Sequence, residues 1–263
     1  MRTIDINCDM GESFGNWKLG DDERLMTVIT TANLACGFHG GDPLTMLKTV
    51  RLAERHGVVV GAHPGLPDLL GFGRRGMTIS PEDAYAYVLY QVGALQGALA
   101  PVRLRLHHVK PHGALTGMLN RDAELAAAVA QAIRDACPEQ PVLYWPAPLE
   151  QSAMVQEARA LDIHVVGEMY PDLDYDSQGR LILQRTKHAA DLGKAGAQIR
   201  RFLTEGRVEA QDGTSVELEA ESVCIHGDGP NAFDVAGEAR RVLSELGCEI
   251  RAFELPPALL ADA

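Results

Sequence analysis

The sequence predicts an α/β fold, a parallel barrel with its helices outside, on three observations. Short apolar runs alternate with longer segments of helical periodicity along the chain, as in strands joined by crossover helices. Six of the runs end in ionisable residues and glycine: Asn7-Cys8-Asp9-Met10-Gly11-Glu12, Ala35-Cys36-Gly37-Phe38-His39-Gly40-Gly41-Asp42, Gly61-Ala62-His63-Pro64, Val109-Lys110-Pro111-His112-Gly113, Val165-Val166-Gly167-Glu168 and Cys224-Ile225-His226-Gly227-Asp228-Gly229. Strands that repeatedly deliver His, Asp, Lys and Glu at their C-terminal ends suit a barrel gathering one polar site at its top face. The third observation is length, since 263 residues fit a barrel running as one domain over residues 1–263.

Strands are expected near residues 3–9, 31–36, 58–63, 104–110, 141–145, 163–168, 222–226 and 248–253. Between them, Asp42 with Pro43 at the first helical position opens a helix that Gly57 closes. Ser80-Pro81-Glu82-Asp83 opens the next, with Ser80 as N-cap and acids in the first turn. Asn120 is the expected cap of a third, ending around Ala136-Cys137-Pro138, and residues 149–160, 189–206 and 233–247 complete the set. Two stretches break the rhythm. Pro64 to Met77 is a glycine-rich loop, and Tyr170 to Lys187 is polar, with a turn at Asp176-Ser177-Gln178-Gly179 and a β-like run at Leu181-Ile182-Leu183. Loops longer than about 12 residues in a compact domain tend to be functional, and at this face they are expected to be lids.

Side chains alternate across a strand, so each strand divides into two sets. Ile4, Ile6 and Cys8 oppose Asp5, Asn7 and Asp9; Ala32, Leu34 and Cys36 oppose Asn33, Ala35 and, beyond the strand, His39. Val58, Val60 and Ala62 oppose Val59, Gly61 and His63, while His108, Lys110 and His112 share a face. Val166 and Glu168 oppose Val165, and Cys224, His226 and Asp228 oppose Ile225. One face is apolar and fits the helix layer, whereas the other collects polar groups and fits the lumen.

Composition narrows the partners. A formal net charge of −12 argues against nucleic acid or an anionic membrane surface. The opening Met1-Arg2-Thr3-Ile4-Asp5 lacks the apolar core of a signal peptide, and no stretch is apolar enough to span a bilayer. Five widely spaced cysteines, an odd number, fit a reduced cytoplasmic protein better than a disulfide framework. Cys8, Cys36 and Cys224 read as small buried apolar residues.

Among the strand-end residues, Asp9 is placed to act as a general base or metal ligand, with Glu12 beside it. The glycines around His39 let the backbone approach a ligand closely. Asp42 reads as a helix cap. His63 is followed by a rigid turn at Pro64. Lys110 at the end of a buried strand needs a partner or a task, and a salt bridge to Asp9 or Asp228 would supply one. His112, His226 and Asp228 complete the catalytic candidates; Asn7, Glu12, Asn33, Arg74, Glu168 and Arg185 are candidates for holding substrate. The Arg74-Arg75 pair suits a carboxylate or phosphate. No P-loop is present, because His188 stands where the first glycine before Gly193-Lys194 would fall, so ATP is not expected to bind here by that motif. No G-x-S-x-G elbow and no C-x-x-C pair appear.

Taken in order, Asp5-Ile6-Asn7-Cys8-Asp9-Met10-Gly11-Glu12, Ala35-Cys36-Gly37-Phe38-His39, Gly61-Ala62-His63-Pro64-Gly65, His108-Val109-Lys110-Pro111-His112-Gly113-Ala114 and Ile225-His226-Gly227-Asp228 resemble the LamB/YcsF family over nearly the whole chain. The resemblance implies a TIM-like barrel of seven or eight strands, of the glycoside hydrolase/deacetylase type. It also implies a cytoplasmic subunit that works with two partner subunits to cleave the lactam 5-oxoproline to L-glutamate at the expense of ATP. One segment departs from the family pattern: in Glu168-Met169-Tyr170-Pro171-Asp172-Leu173-Asp174-Tyr175, Leu173 replaces an arginine and Pro171 an alanine. Arg185 or Arg74 is then the alternative partner for a substrate carboxylate. Asp9 or Asp228 is expected to orient or deprotonate water, Lys110 and His112 to stabilise negative charge, and His39, His63 or His226 to protonate the leaving nitrogen. Two rival readings are a stand-alone metal-dependent deacetylase or amidase, with a divalent cation on Asp9, His39 and His63, and a non-catalytic binding subunit of a carboxylase-like complex.

Overall fold

A computed structural model describes residues 2–139, 142–182 and 187–255. The first strand, β1 (Thr3–Met10), shows how alternation builds the barrel. Ile4, Ile6, Cys8 and Met10 are buried in the main hydrophobic core. Asp5, Asn7 and Asp9, on the opposite face, hydrogen-bond across the lumen to other strands. After the short α1 (Asp22–Leu25), β2 (Thr31–Ala35) pairs in parallel with β1 in the register Asn7 to Thr31 and Asp9 to Asn33. Helix α2 (Pro43–His56) starts as expected: the Asp42 side chain accepts from the Leu44 and Thr45 amides, and Gly57 ends the helix at φ +66°. Strand β3 (Val59–His63) continues the row, with Asn33 opposite Gly61 and Ala35 opposite His63. Gly61 is required there, because a Cβ would lie 2.1 Å from the His108 ring.

Helix α3 (Pro81–Leu99) opens on a full capping box between Ser80 and Asp83. Strand β4 (Leu106–Val109) ends just before Lys110. The expected helix from Asn120 is corrected into two. Gly113–Leu119 forms α4, with Asn120 at its C-terminal end, and Asp122 caps α5 (Ala123–Ala136) by accepting from the Glu124 and Leu125 amides. Aspartate at 122 reaches two orphan amide donors, whereas Asn120 is still inside the preceding turn. Then follow β5 (Val142–Pro146), α6 (Ala153–Ala160) and β6 (His164–Met169).

The segment after β6 folds as a small antiparallel hairpin of β7 (Asp174–Tyr175) and β8 (Leu181–Ile182); Leu183 and Arg185 lie outside the described residues. Helix α7 (Leu192–Glu205) is capped by Asp191. A second hairpin, β9 (Arg207–Glu209) with β10 (Ser215–Glu217), has no counterpart among the strands expected from the sequence. Strand β11 (Ser222–Ile225) precedes α8 (Ala232–Glu245) and the two-residue β12 (Glu249–Ile250).

The barrel closes on seven parallel strands in the order β1-β2-β3-β4-β5-β6-β11, with β11 pairing back onto β1. The expected eighth strand is reduced to β12, which pairs only with Thr3 and Ile4 at the start of β1. β11 already occupies the closing position. Beyond β12 the chain crosses the barrel floor: Phe253 and Leu255 pack on Val142, Tyr144 and Val166, and the Phe253 carbonyl faces His107 at 2.7 Å. No described helix is long and apolar enough to cross a membrane.

Candidate active site

Asp9, Lys110 and Glu168 meet in the lumen, all buried. Lys110 is the hub. Its ammonium donates to Asp9 Oδ1 at 2.9 Å and Asn7 Oδ1 at 3.3 Å, lies 2.9 Å from Cys224 Sγ, and forms an ionic contact with Glu168 Oε1 at 3.2 Å. Burial pushes its pKa down, but Asp9, Cys224 and Glu168 outweigh that and hold it well above the ordinary lysine value. Asp9 is the counterpart: burial pushes it up, yet His63 and Lys110 hold it well below the usual carboxylate range. The pair is therefore an ammonium and a carboxylate at neutral pH. The sequence offered Asp9 or Asp228 as the partner of Lys110, and the structure selects Asp9, with Glu168 added.

Cys224 is buried, as expected, and lies on the lumen face that alternation assigns it, beside Lys110; burial raises its thiol pKa well above the ordinary value. The group beside Lys110 is thus a neutral thiol.

Beneath this level the lumen is polar rather than aliphatic. Asn33 donates to Asn7 and Asp9 and faces His108 Nε2 at 2.7 Å. Asn7 donates to Ser222, which donates to Asp5, and Asp5 also accepts from Thr31 and Tyr144. Asn7 and Asn33 are fully buried in this layer, so they support the site's floor. Glu168 also accepts from the Tyr170 hydroxyl at 2.8 Å.

Above the hub opens a cavity of about 970 Å³ whose lining includes Asp9, His63, Arg74, Lys110, His112 and His226. Its far wall comes from the segments around Trp145, Tyr170 and the β7–β8 hairpin, so the long polar loop does border the cavity. On one wall, His63 Nε2 stands 3.5 Å from Asp9 Oδ2 and 2.9 Å from His112 Nδ1. Behind it, His39 stacks on His112 with ring centroids 3.7 Å apart, and Glu12 Oε1 lies 3.4 Å from His39 Nε2. Loop packing sets both: the Gly41 amide donates to the Glu12 carbonyl, and Asp22 accepts from the Gly11 amide. Burial, with Asp9 and Asp228 nearby, raises Glu12 well above the ordinary value. Burial lowers His39 and His112 well below theirs, with His63 adding to both.

On the other wall, His226 is held by Asp172, whose carboxylate meets His226 Nδ1 at 2.9 Å and the His226 amide at 3.1 Å. Burial raises Asp172, but His226 turns the balance and leaves it below the ordinary value. Asp228 is bound by Arg74 at 2.6 Å, with Lys187 at 3.8 Å, which engages both of its oxygens. Arg74 lies over the Phe72 ring at 4.8 Å, while Arg75 turns away to Asp68. Leu173, where the family pattern carries arginine, is buried. Tyr170, Asp172, Lys187 and Cys224 are site residues that strand-end reading missed. Asp172 is the one with a signal, being an acid two residues past Tyr170 in the segment that departs from the family pattern.

A seven-stranded parallel barrel with an ionised carboxylate–lysine pair at the top of its lumen defines an α/β-barrel protein with one polar site. The family follows from comparison. The model of the LamB/YcsF family matches residues 4–257, and the chain belongs to that family. It is 48% identical over 251 residues to a 5-oxoprolinase subunit of Bordetella parapertussis, covering 95% of this chain and 98% of the relative. It is 47% identical over 252 residues to a 5-oxoprolinase subunit of Thermus thermophilus, covering 95% and 99%. The crystal structure of a lactam utilization protein, also from Thermus thermophilus, superposes with a TM-score of 0.86 at 44% identity, over 95% of this chain and 100% of that one. A family 4 carbohydrate esterase from Streptomyces lividans shares the fold at 12% identity and a TM-score of 0.50, over 98% and 94%.

Proposed function

We propose that this chain is the lactam-opening subunit of an ATP-dependent 5-oxoprolinase, forming L-glutamate in the cytoplasm together with two partner subunits. The observation that carries the reading is the buried Asp9–Lys110 pair at the floor of the cavity, in a chain close to proteins named as 5-oxoprolinase subunits. A lactam amide is a poor electrophile, and this chain lacks a P-loop, so the partners are assigned the ATP-dependent activation of the amide oxygen. Asp9, held as a carboxylate, orients the attacking water and takes its proton. Lys110 fixes Asp9 and stabilises negative charge as the tetrahedral centre forms. As the ring C–N bond breaks, the nitrogen takes a proton from His226, which Asp172 orients through Nδ1. A second water then displaces the phosphoryl group from the opened acyl phosphate, giving L-glutamate and inorganic phosphate. Asp228 is not the base in this scheme, because Arg74 binds it; Arg74 and Lys187 instead offer positive charge to the substrate carboxylate. The cavity is far larger than one lactam, and its outer part leaves access for the activating partners.

The test is glutamate formation from 5-oxoproline in the complex reconstituted with its partner subunits. Asp9→Asn keeps size and hydrogen-bonding reach, and is expected to lose at least about 10²-fold in turnover while retaining the wild-type circular dichroism spectrum. Near-normal turnover in that variant would sink the assignment. Hydrolysis of amides by the isolated chain, without partners or ATP, would favour the stand-alone amidase reading instead.

A further inference from the structure

Four buried side chains in and behind one wall of the cavity have no step of their own in the scheme above: Glu12, His39, His63 and His112. One ligand-type atom from each lies within 4.8 Å of all the others. Their inner nitrogens call for a cation. His63 Nδ1 sits 2.6 Å from the Lys110 carbonyl oxygen, and a carbonyl only accepts, so Nδ1 carries a proton and Nε2 is the nitrogen turned inward. His112 Nε2 sits 2.8 Å from the Phe72 carbonyl oxygen, so by the same argument Nδ1 is its inward nitrogen. The two inward nitrogens face each other at 2.9 Å, close enough to share either a proton or a metal ion. Two lone pairs at hydrogen-bond distance repel unless a positive charge lies between or beside them. The third imidazole is poorer still: among the described residues neither nitrogen of His39 has a hydrogen-bond partner, Glu12 Oε1 standing 3.4 Å from Nε2, and the residue is 1% exposed.

We infer that Glu12, His39, His63 and His112 form a binding site for a divalent transition metal of the zinc class. Three imidazole nitrogens and one carboxylate oxygen are a donor set that zinc and its borderline neighbours take. The backbone carbonyls that fix His63 and His112 are the outer partners that orient metal-bound imidazoles, setting the tautomer that leaves the inner nitrogen free. With bonds of about 2.0–2.1 Å, ligand atoms around a tetrahedral metal stand about 3.3 Å apart. The His63–His112 gap therefore opens slightly, and the outermost gap closes. The His39 ring, parallel to His112 within 6°, turns to aim a nitrogen at the metal. Gly65 and Gly73 give His39 its slot, because a Cβ on either would lie 2.6 Å from its side chain. Since His63 and His112 also line the cavity, the metal is reachable from the cavity beside Asp9. The Asp9, His39 and His63 set expected from sequence is thereby revised: Glu12 and His112 join, and Asp9 keeps Lys110.

The site stands independently of the lactam assignment, and its test reads metal rather than turnover. Protein freed of metal with a chelator is titrated with Co²⁺, followed by visible absorption, and zinc content is measured after dialysis against Zn²⁺. The wild type is expected to take up about one equivalent of either ion. His63→Asn and His112→Asn are expected to weaken binding by about 100-fold or more, at or beyond the loss seen when only an outer partner is removed. His226→Asn should bind as the wild type does. If a histidine variant fails to fold by circular dichroism, Glu12→Gln, which removes a ligand at constant size, is read in its place. Uptake below about a tenth of an equivalent, or equal binding in wild type and variants, overturns the site; the His63–His112 pair would then share a proton.

Discussion

Replacing Lys110 by methionine tests the electrostatic core of the site most directly. The side chain keeps its length and loses its charge, which strands Asp9 and Glu168 as buried carboxylates. At an effective dielectric near 20, a unit pair about 3 Å apart is worth about 5 kcal/mol before desolvation. Much of that offsets the burial of the charges themselves, so removing one partner is expected to cost about 3–5 kcal/mol net. For a domain of this size each kcal/mol moves the midpoint by about 2–4 °C, so melting should fall by roughly 6–20 °C. The pH dependence separates this cause from lost packing. In the wild type Asp9 is depressed, so its contribution is complete above the ordinary carboxylate pKa and is lost as pH falls through the lower folded value. The raised Lys110 contributes throughout the range below the ordinary lysine value. Without Lys110 the burial of two carboxylates goes uncompensated, and the cost of charging them grows as pH climbs past about 4. The melting difference between wild type and Lys110→Met should therefore be larger at pH 8 than at pH 5. Equal differences at the two pH values would refute the stranded-charge argument and reduce Lys110 to a packing residue.

Two further outcomes are expected. Asp122→Ala removes the side chain that accepts from the Glu124 and Leu125 amides, and should cost about 1 kcal/mol in a denaturant melt; Asn120→Ala, at a position with no such role, should stay within about 0.5 kcal/mol. Asp172→Asn removes the negative partner of His226, so the variant should be less stable than wild type at pH 7. Because His226 holds the Asp172 pKa down, that deficit should shrink as pH falls below the ordinary carboxylate range of about 4, and a constant deficit would contradict the pairing.

The barrel was legible in the sequence because alternation is a local property. Ile4, Ile6 and Cys8 against Asp5, Asn7 and Asp9 need only their own strand to be sorted into two faces. Asp42 and Ser80 were equally legible, since a cap and its amide partners lie within three residues. Helix α4 was not, as seven residues with glycine at 113 and 117 and no side-chain cap give no periodic signal. The β9–β10 hairpin is too short to show alternation, whereas the turn at Asp176-Ser177-Gln178-Gly179 and the β-like run from Leu181 mark the β7–β8 hairpin in the sequence. At the site, residue types were legible at the strand ends but partners were not. The Arg74–Asp228 contact spans 154 residues, and His226–Asp172 joins a strand end to a loop. Cys224 reads correctly as a small buried residue, but its 2.9 Å contact with the Lys110 ammonium, 114 residues away, leaves no signal in the sequence.

A barrel lumen is ordinarily filled by branched aliphatic side chains in layers, and the polar filling here has a physical reason that meets at Asn33. Its amide donates to Asn7 Oδ1 at 2.7 Å and Asp9 Oδ1 at 2.9 Å, and its own oxygen faces His108 at 2.7 Å. An aliphatic residue in its place would leave Asn7 and Asp9 short of a donor in a buried layer, where an unmade hydrogen bond costs about 1–3 kcal/mol. An aspartate would set a second carboxylate against Asp9 and push one of the two to take a proton. Only an amide of this length supplies donors upward and an acceptor sideways, so Asp9 keeps its charge and its orientation without borrowing either from solvent. The same logic continues downward through Asn7, Ser222 and Asp5 to the Tyr144 hydroxyl. Each group is there to satisfy the one above it, and the chain of donors ends where Tyr144 packs against Phe253 and Leu255 at the barrel floor. The polar lumen is thus the support that a buried, ionised carboxylate requires, and it places the site's rigidity in the strands, leaving specificity to the loops that border the cavity.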